Sequence, residues 1–156
     1  GAKVVGWKLG STTPYWQKRA GLTEPMAGRL LEPMVHRGST ALPGDHFHLR
    51  MVECEYAFEL ARDLPPREAP YARDEVEGAV GAVYGCIEVA DSRFTKGLIV
   101  DSPSLIADNV LAGAYLVGPE IKDFRRVATR YDKTAESFLG FIDITSIRLW
   151  LRHLST

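Results

Sequence analysis

The sequence predicts an α+β fold in a single domain over residues 1–156, and three observations support this prediction. The chain has 156 residues, of which 46% are hydrophobic and 25% are charged, a composition typical of one globular domain with its own core. Segments with the two-residue period of strands are mixed with segments that have the period of helices. The two kinds of segment do not alternate regularly, so a doubly wound parallel sheet is not expected.

The first half of the chain contains two strand patterns. Residues 4–9 predict a strand, and the hydroxyl-rich segment after it predicts the start of a short helix over residues 15–20. Proline and glycine make residues 25–34 a predicted turn-rich loop. Residues 50–60 are the clearest strand, because apolar side chains alternate along it and form one face. Those side chains are Val52, Cys54, Tyr56, Phe58 and Leu60.

The second half contains shorter elements. A stripe of valine and alanine along residues 74–83 predicts a helix. A buried strand, a helix that begins at a Ser-Pro pair, another strand and a final helix with one apolar side are predicted to follow. These four elements span residues 86–90, 103–111, 113–117 and 143–154.

The charge balance limits the classes of partner. Nineteen basic and 20 acidic side chains give a net charge of −1, which argues against nucleic acid or an anionic membrane as the main partner. No apolar run approaches the roughly 20 residues that a bilayer span needs, and no signal peptide is recognisable. Cys54 and Cys86 lie in apolar runs, which predicts buried free thiols in a reducing compartment, and we expect a cytoplasmic protein.

Two glutamates on the clearest strand are candidate metal ligands. Glu53 and Glu55 are two residues apart, so their carboxylates leave the same face with Cα atoms about 7 Å apart, close enough to share one cation. The alternative is a solvated outer face, which the presence of Glu59 in the same series supports. Spacing alone favours the solvated face.

Glu88 changes that balance, because it interrupts an otherwise apolar strand. A carboxylate in such a place is costly unless it is paired or coordinated. One alternative is a salt bridge with Arg93. Three carboxylates without histidine or cysteine would form a hard oxygen site, which suits Mg²⁺ or Mn²⁺ better than zinc.

Lys8 lies in an apolar strand between Trp7 and Leu9, where a lysine could take part in proton transfer. A strand-end lysine that reaches water is the more common case, and it is favoured on this observation alone. The sequence has no G-x-S-x-G, phosphate-loop or dinucleotide motif, so serine hydrolases, kinases and dehydrogenases have no support.

Five segments in order resemble the family of the 2-keto-4-pentenoate hydratases and 4-oxalocrotonate decarboxylases, of the fumarylacetoacetate hydrolase superfamily. The segments resemble the family's G-x-K-[VIL]-G strand, a glycine-led loop with an acidic residue, an E-x-E metal strand, a third-ligand segment and a helix-to-strand passage. They comprise residues 6–10, 28–32, 52–58, 87–93 and 106–113. The resemblance covers roughly residues 4–119.

The resemblance implies a mixed β-sandwich roll with a few flanking helices and a metal held among carboxylates in a cleft. The implied ligands of Mg²⁺ or Mn²⁺ are Glu53, Glu55 and Glu88. A Lewis acid on the 2-oxygen of a 2-oxo acid would stabilise the developing enolate. The implied groups for proton transfer are Lys8 and Glu32. The implied substrate-binding residues are Arg29, Leu30, Ser92 and Arg93.

Three functions are compatible with this resemblance. The first is a metal-dependent hydratase that adds water to a 2-hydroxy-2,4-dienoate and gives a 4-hydroxy-2-oxo acid in aromatic catabolism. The second is a decarboxylase of an oxalocrotonate-like diacid, in which Arg29 or Arg93 would bind the second carboxylate. The third is a catalytically silent oligomeric relative. We expect a homo-oligomer, and we expect residues 1–156 to be the central part of a catalytic domain that is incomplete at both ends.

Overall fold

Two β-sheets form the fold in the computed structural model of the chain, which describes residues 1–95 and 100–122. The strands are β1 (Val4–Gly10), β2 (Met26–Leu31), β3 (Val35–Arg37), β4 (Met51–Leu60), β5 (Val80–Ala90) and β6 (Ala112–Glu120). The helices are α1 (Pro14–Arg19), α2 (Arg73–Glu77) and α3 (Ser102–Ala107), with 3₁₀ turns at Glu32–Met34, Gly44–His46 and Asn109–Leu111. The α+β prediction is confirmed, while the predicted helix over residues 143–154 lies outside the described residues.

The two sheets differ in size and pairing. β1 and β2 form an antiparallel pair in which Lys8 lies opposite Gly28. The larger sheet has the order β3-β6-β5-β4, with β3 parallel to β6 and the other pairs antiparallel. Mixed pairing and the few short helices agree with the predicted class. No helix in the described part of the chain is long and apolar enough to cross a membrane.

The prediction of a loop over residues 25–34 was wrong, because β2 occupies most of that segment. The strand forms through pairing with β1. A Cβ atom on Gly28 would lie only 2.4 Å from the carbonyl oxygen of Asn109, so glycine lets the strand approach that turn. The glycine that suggested a turn therefore serves a close approach within a strand.

The prediction of a helix over residues 74–83 was also wrong in its second half. The helix α2 ends at Glu77, with Gly78 as its C-terminal cap, and β5 begins at Val80. Val80 and Val83 pair with β4, where branched side chains pack well on a pleated surface. The predicted strand over residues 86–90 is therefore only the last part of β5.

The predicted helix over residues 103–111 divides into α3 and a 3₁₀ turn. Asn109, Val110 and Leu111 have positive φ angles of 54°, 55° and 62°, a conformation that β-branched residues rarely adopt. The Asn109 side chain supports the turn by bonding to β2. Its Oδ1 accepts from the Arg29 N–H at 2.6 Å, and its Nδ2 donates to the Arg29 carbonyl at 2.8 Å.

The two faces of β4 are reversed relative to the simple apolar-in arrangement. Val52 is 64% exposed, and Cys54 and Tyr56 are exposed beside it, so this apolar face points outward over that part of the strand. Glu53 and Glu55 point towards the interior and are half-buried. The preferred interpretation of a solvated carboxylate face was therefore wrong. The prediction that both cysteines are buried holds for Cys86 but not for Cys54.

The inward face of the larger sheet carries the core residues nearest the cleft. Cys86, Ala112 and Tyr115 form a buried cluster on β5 and β6, and Leu30 of β2 packs against it. A second cluster of Leu64, Tyr71, Val76 and Ala79 lies where α2 and the preceding loop meet the end of β4. The first cluster, through Leu30, holds the small sheet against the large one.

We expect Gly28→Ala to destabilise the fold by about 1–3 kcal/mol, because the added methyl group meets the Asn109 carbonyl. Gly85→Ala is the matched control, since a Cβ on this second strand glycine meets nothing within 4 Å. Urea unfolding of both variants measures the difference. Equal stability of the two variants would contradict the close approach of β2 to the Asn109 turn.

Candidate active site

A cleft of about 710 Å³ between the two sheets is the candidate functional site. Residues from all six strands line it. Lys8, Glu55 and Glu88 are together at one end, and most of the remaining wall is apolar, with Phe58 and Leu64 among its residues. A cleft with a small group of charged residues in an apolar wall is typical of a site for a small molecule.

Three glutamates converge at the charged end. β4 pairs with β5 so that Glu53 lies directly opposite Glu88, and Glu55 follows two residues along β4 on the same face. One carboxylate oxygen from each glutamate lies within 4.8 Å of the other two. Glu88 is 1% exposed. Three oxygen donors at this spacing could hold a hard divalent cation.

Lys8 reaches the same cluster from the smaller sheet. Its Nζ atom donates a hydrogen bond to Oε1 of Glu88, and both side chains are almost completely buried. The interpretation of Lys8 as a strand-end lysine that reaches water was therefore wrong. The alternative partner suggested for Glu88, Arg93, pairs with Asp108 instead.

The carboxyl group of Glu55 has a strongly shifted pKa. Burial is the largest cause, and repulsion from Glu88 and Glu53 adds to it, while Lys8 acts in the opposite direction. Together they raise the pKa of Glu55 from 4.5 to about 7. The three acidic groups therefore repel one another in this partly buried cluster, and a bound cation would reduce that repulsion.

Two further groups line the cleft beside the glutamates. Burial, and then the charges of Glu55 and Glu88, raise the pKa of the Cys86 thiol to about 11, so the thiol stays protonated. Burial and the charge of Glu88 also raise the pKa of the Tyr115 phenol above its ordinary value. The Tyr115 hydroxyl is buried and makes no well-oriented hydrogen bond among the described residues, although the Glu88 carboxylate is near it.

Two of the other predicted site residues lie at the cleft. Leu30, on β2, lines the cleft and packs on the buried cluster of Cys86 and Tyr115. Glu32, in the 3₁₀ turn after β2, is exposed and lines the cleft as well. The structure thus brings Lys8, Leu30 and Glu32 to the same cleft as the glutamates.

Arg29, Ser92 and Arg93 are not among the residues that line the cleft. The guanidinium group of Arg29 lies 5.8 Å from the centre of the Trp7 ring, on the exposed side of β2. Ser92 is buried, and its hydroxyl donates to Oδ2 of Asp108 at 2.8 Å. The Arg93 guanidinium donates to the Asp108 carboxylate and to the carbonyl oxygens of Asp108 and Ala112. Ser92 and Arg93 therefore fasten the end of β5 to the turn before β6.

Sequence reasoning missed two residues that shape this region. Asp108 is 5% exposed and receives the bonds of Ser92 and Arg93. Its segment was recognised only as part of a family resemblance. The available signal in the sequence was an Asp-Asn pair shortly before a predicted strand. Tyr115 lies directly opposite Glu88 in the pairing of β5 with β6. Nothing in the local sequence indicates that contact, because it depends on the strand register.

The raised pKa of Glu55 predicts a specific pH dependence of the metal-free fold. Between about pH 4.5 and pH 7 the folded chain keeps a proton on Glu55 that the unfolded chain has released. The contribution of Glu55 to folding stability therefore falls as pH rises through this window and levels off above it. The measurement is urea unfolding with a chelator from about pH 5 to about pH 8. The free energy of unfolding of the wild type minus that of Glu55→Gln should decline as pH rises. Parallel curves for the two proteins would contradict the prediction.

The buried contact of Lys8 with Glu88 predicts a large cost for Lys8→Met. The variant leaves a carboxylate buried without its cation, which costs about 3–5 kcal/mol in metal-free unfolding experiments. Neutralising the remaining acid in Lys8→Met/Glu88→Gln should restore part of this loss. Arg37→Met is the control, because its pair with Glu59 is exposed and should cost less than about 1 kcal/mol. Similar losses of stability for Lys8→Met and Arg37→Met would refute a special role of the buried pair.

Comparison with known proteins finds relatives that match about three quarters of this chain. No protein-family model matches the chain. The chain is 34% identical over 120 residues to the 2-keto-4-pentenoate hydratase of Paraburkholderia xenovorans, covering 76% of this chain and 43% of that protein. It is 32% identical over 119 residues to the 4-oxalocrotonate decarboxylase of a Pseudomonas species, covering 76% of this chain and 44% of that protein. The chain thus spans less than half the length of these relatives.

Solved structures agree on the fold. The 4-oxalocrotonate decarboxylase from Pseudomonas putida G7, complexed with magnesium and adipate, matches with a TM-score of 0.68 and 24% identity. The match covers 76% of this chain and 44% of the decarboxylase. A second structure of that enzyme, complexed with calcium and acetate, matches with a TM-score of 0.66. The sequence resemblance is therefore confirmed, and this chain is a homologue of the 2-keto-4-pentenoate hydratases and 4-oxalocrotonate decarboxylases.

Proposed function

We propose that the chain is part of a divalent-metal-dependent hydratase. The reaction adds water to a 2-hydroxy-2,4-dienoate of the 2-keto-4-pentenoate type and gives a 4-hydroxy-2-oxo acid, a step of aromatic catabolism. The observation that carries the proposal is the convergence of Glu53, Glu55 and Glu88 with Lys8 at one end of a mainly apolar cleft. Relatives named as hydratases support the same activity.

The three glutamates fit a hard divalent cation. Their oxygens lie close together, no sulfur or nitrogen ligand is in the group, and their mutual repulsion favours a positive charge. We assign Mg²⁺ or Mn²⁺ to them, and the decarboxylase that shares this fold was itself complexed with magnesium or calcium. When bound, such a cation polarises the 2-oxygen of the substrate and stabilises the enolate charge that develops there.

Lys8 and Glu32 are the proposed proton-transfer groups. Lys8 is close to the glutamates and lines the cleft, so its ammonium group can deliver a proton to a bound substrate and take it back. Glu32 lines the cleft from an exposed turn, where its carboxylate can exchange protons with water. Leu30 is part of the wall of the same cleft. The other predicted substrate residues, Arg29, Ser92 and Arg93, belong to the proposal only as groups that support the surrounding turns.

The charges around the cleft favour hydration over decarboxylation. A decarboxylase acting on a diacid needs a cation for the second carboxylate. Among the described residues that line the cleft, Lys8 and Arg37 are the basic ones. Lys8 pairs with Glu88 and Arg37 with Glu59. The candidates from the sequence, Arg29 and Arg93, are directed to Trp7 and Asp108. An uncharged substrate tail fits this mainly apolar wall better than a second carboxylate.

The remaining sequence predictions are retained as part of this proposal. They are the fumarylacetoacetate hydrolase type of roll, the cytoplasmic setting and the homo-oligomeric assembly. The catalytically silent alternative predicts no binding of Mg²⁺ or oxalate, so calorimetry separates it from the two enzymatic functions.

The proposal predicts a metal-dependent loss of dienol absorbance. With 2-hydroxypenta-2,4-dienoate, Mg²⁺ or Mn²⁺ should support the loss and a chelator should stop it. Glu53→Ala should lower the rate by about a hundredfold or more, because it removes one proposed ligand from the cation. Glu68→Gln is the control, since this glutamate is exposed, does not line the cleft and is outside the cluster. Activity that persists in Glu53→Ala or after complete chelation refutes the proposal.

The same preparation separates hydration from decarboxylation. With 4-oxalocrotonate, release of CO₂ is measured beside water addition to the dienoate. We expect water addition to dominate. Release of CO₂ at a comparable or higher rate would favour the decarboxylase.

A further inference from the structure

The Tyr115 side chain is the most conspicuous polar group in the cleft that the proposed function does not use. It belongs to β6 and lies directly opposite Glu88 of β5, so both side chains project from the same sheet face. The residue is only 6% exposed. Its hydroxyl makes no well-oriented hydrogen bond among the described residues, although the Glu88 carboxylate is near it. A buried donor without an acceptor is costly and requires an explanation.

The Glu88 carboxylate, in turn, has few hydrogen-bond donors around it. An ionised carboxylate offers about four acceptor positions and, when buried, is stabilised by several donors. Within the described residues, the side-chain hydrogen bond that Glu88 accepts comes from Lys8, on Oε1. The neighbouring donor without a partner is the Tyr115 hydroxyl, and the Glu88 carboxylate is near enough to act on it electrostatically. An unused donor and an under-satisfied acceptor are thus cross-strand neighbours.

We propose that Tyr115 is a positioning residue for the cation site, whose hydroxyl donates a hydrogen bond to the Glu88 carboxylate when that carboxylate turns from Lys8 to a cation. This inference rests on the proposed metal site of Glu53, Glu55 and Glu88. A carboxylate that coordinates a cation keeps free acceptor positions, and a donor on these positions fixes its orientation. The Tyr115 phenol is attached to a strand next to β5, so it can hold Glu88 without a large movement.

The alternative, that the hydroxyl has a structural role in the metal-free protein, conflicts with the lack of a well-oriented hydrogen bond from it among the described residues. A group that stabilises the fold by hydrogen bonding has to make the bond in the folded state. The ring of Tyr115 does pack in the cluster with Cys86 and Ala112. Phenylalanine at position 115 would keep this packing and remove only the hydroxyl.

The test measures Mg²⁺ affinity by titration calorimetry on the whole chain, at a pH above about 8 so that the Glu55 proton is not involved. We expect Tyr115→Phe to weaken Mg²⁺ binding about tenfold. Its metal-free urea midpoint should equal or exceed that of the wild type, because a buried donor without an acceptor has been removed. Tyr84→Phe is the matched control, since Tyr84 lines the same cleft about 13 Å along β5 from Glu88. It should keep wild-type affinity.

A second measurement does not depend on a variant that folds. Adding Mg²⁺ to the wild type should shift its tyrosine near-ultraviolet absorption to longer wavelength, as a phenol does when it begins to donate a hydrogen bond. Tyr115→Phe should not show this shift.

The outcomes are distinguishable. A wild type that binds no Mg²⁺ overturns the proposed metal site and this inference with it. A wild type that binds Mg²⁺ beside a Tyr115→Phe variant of equal affinity overturns only the role of Tyr115. A variant that loses metal-free stability together with affinity shows a structural hydroxyl and also overturns it.

Discussion

The contact between Lys8 and Glu88 is the interaction on which the arrangement of this protein depends. Glu88 lies in the middle of the larger sheet, where an isolated carboxylate would be very costly. Lys8 comes from the smaller sheet and supplies the opposite charge. Because both groups are buried, their contact favours the orientation of the two sheets that brings them together. The cleft is a consequence of that orientation, whereas the group of glutamates comes from the pairing of β4 with β5.

The alternation of β4 could be predicted from the sequence, but not the direction in which it faces. A two-residue period separates the side chains into two sets and is unchanged when the strand is turned over. Strands usually place their apolar side chains inside the fold, but here Val52 and Tyr56 are outside. The information that decides the matter is on another strand, because the register with β5 places Glu53 opposite the buried Glu88. Predicting the glutamate cluster therefore required β4 and β5 to be considered together.

The errors in the elements and the site have a common physical origin in contacts between distant residues. β2 is a strand because it pairs with β1 and meets Asn109, which its own glycine and proline signals do not show. Arg93 was expected at the substrate, but Asp108 binds its guanidinium group and thereby joins two turns. Strand spacing and residue chemistry made Lys8, Glu53 and Glu55 candidates, but these local properties favoured a lysine that reaches water and a solvated carboxylate face. The family resemblance carried their assignment to the site. Tyr115 was missed because only the register of β6 places it opposite Glu88.

The side chain of Asn109 also has a consequence for how this protein behaves towards other chains. Its amide carries a donor and an acceptor, and it bonds to both the N–H and the carbonyl of Arg29 as a neighbouring strand would. These two backbone groups belong to the outer edge of β2, the side away from β1. Free edges of this kind recruit strands from other molecules and promote aggregation. A single asparagine in a tight turn therefore blocks this part of the edge, with no additional strand.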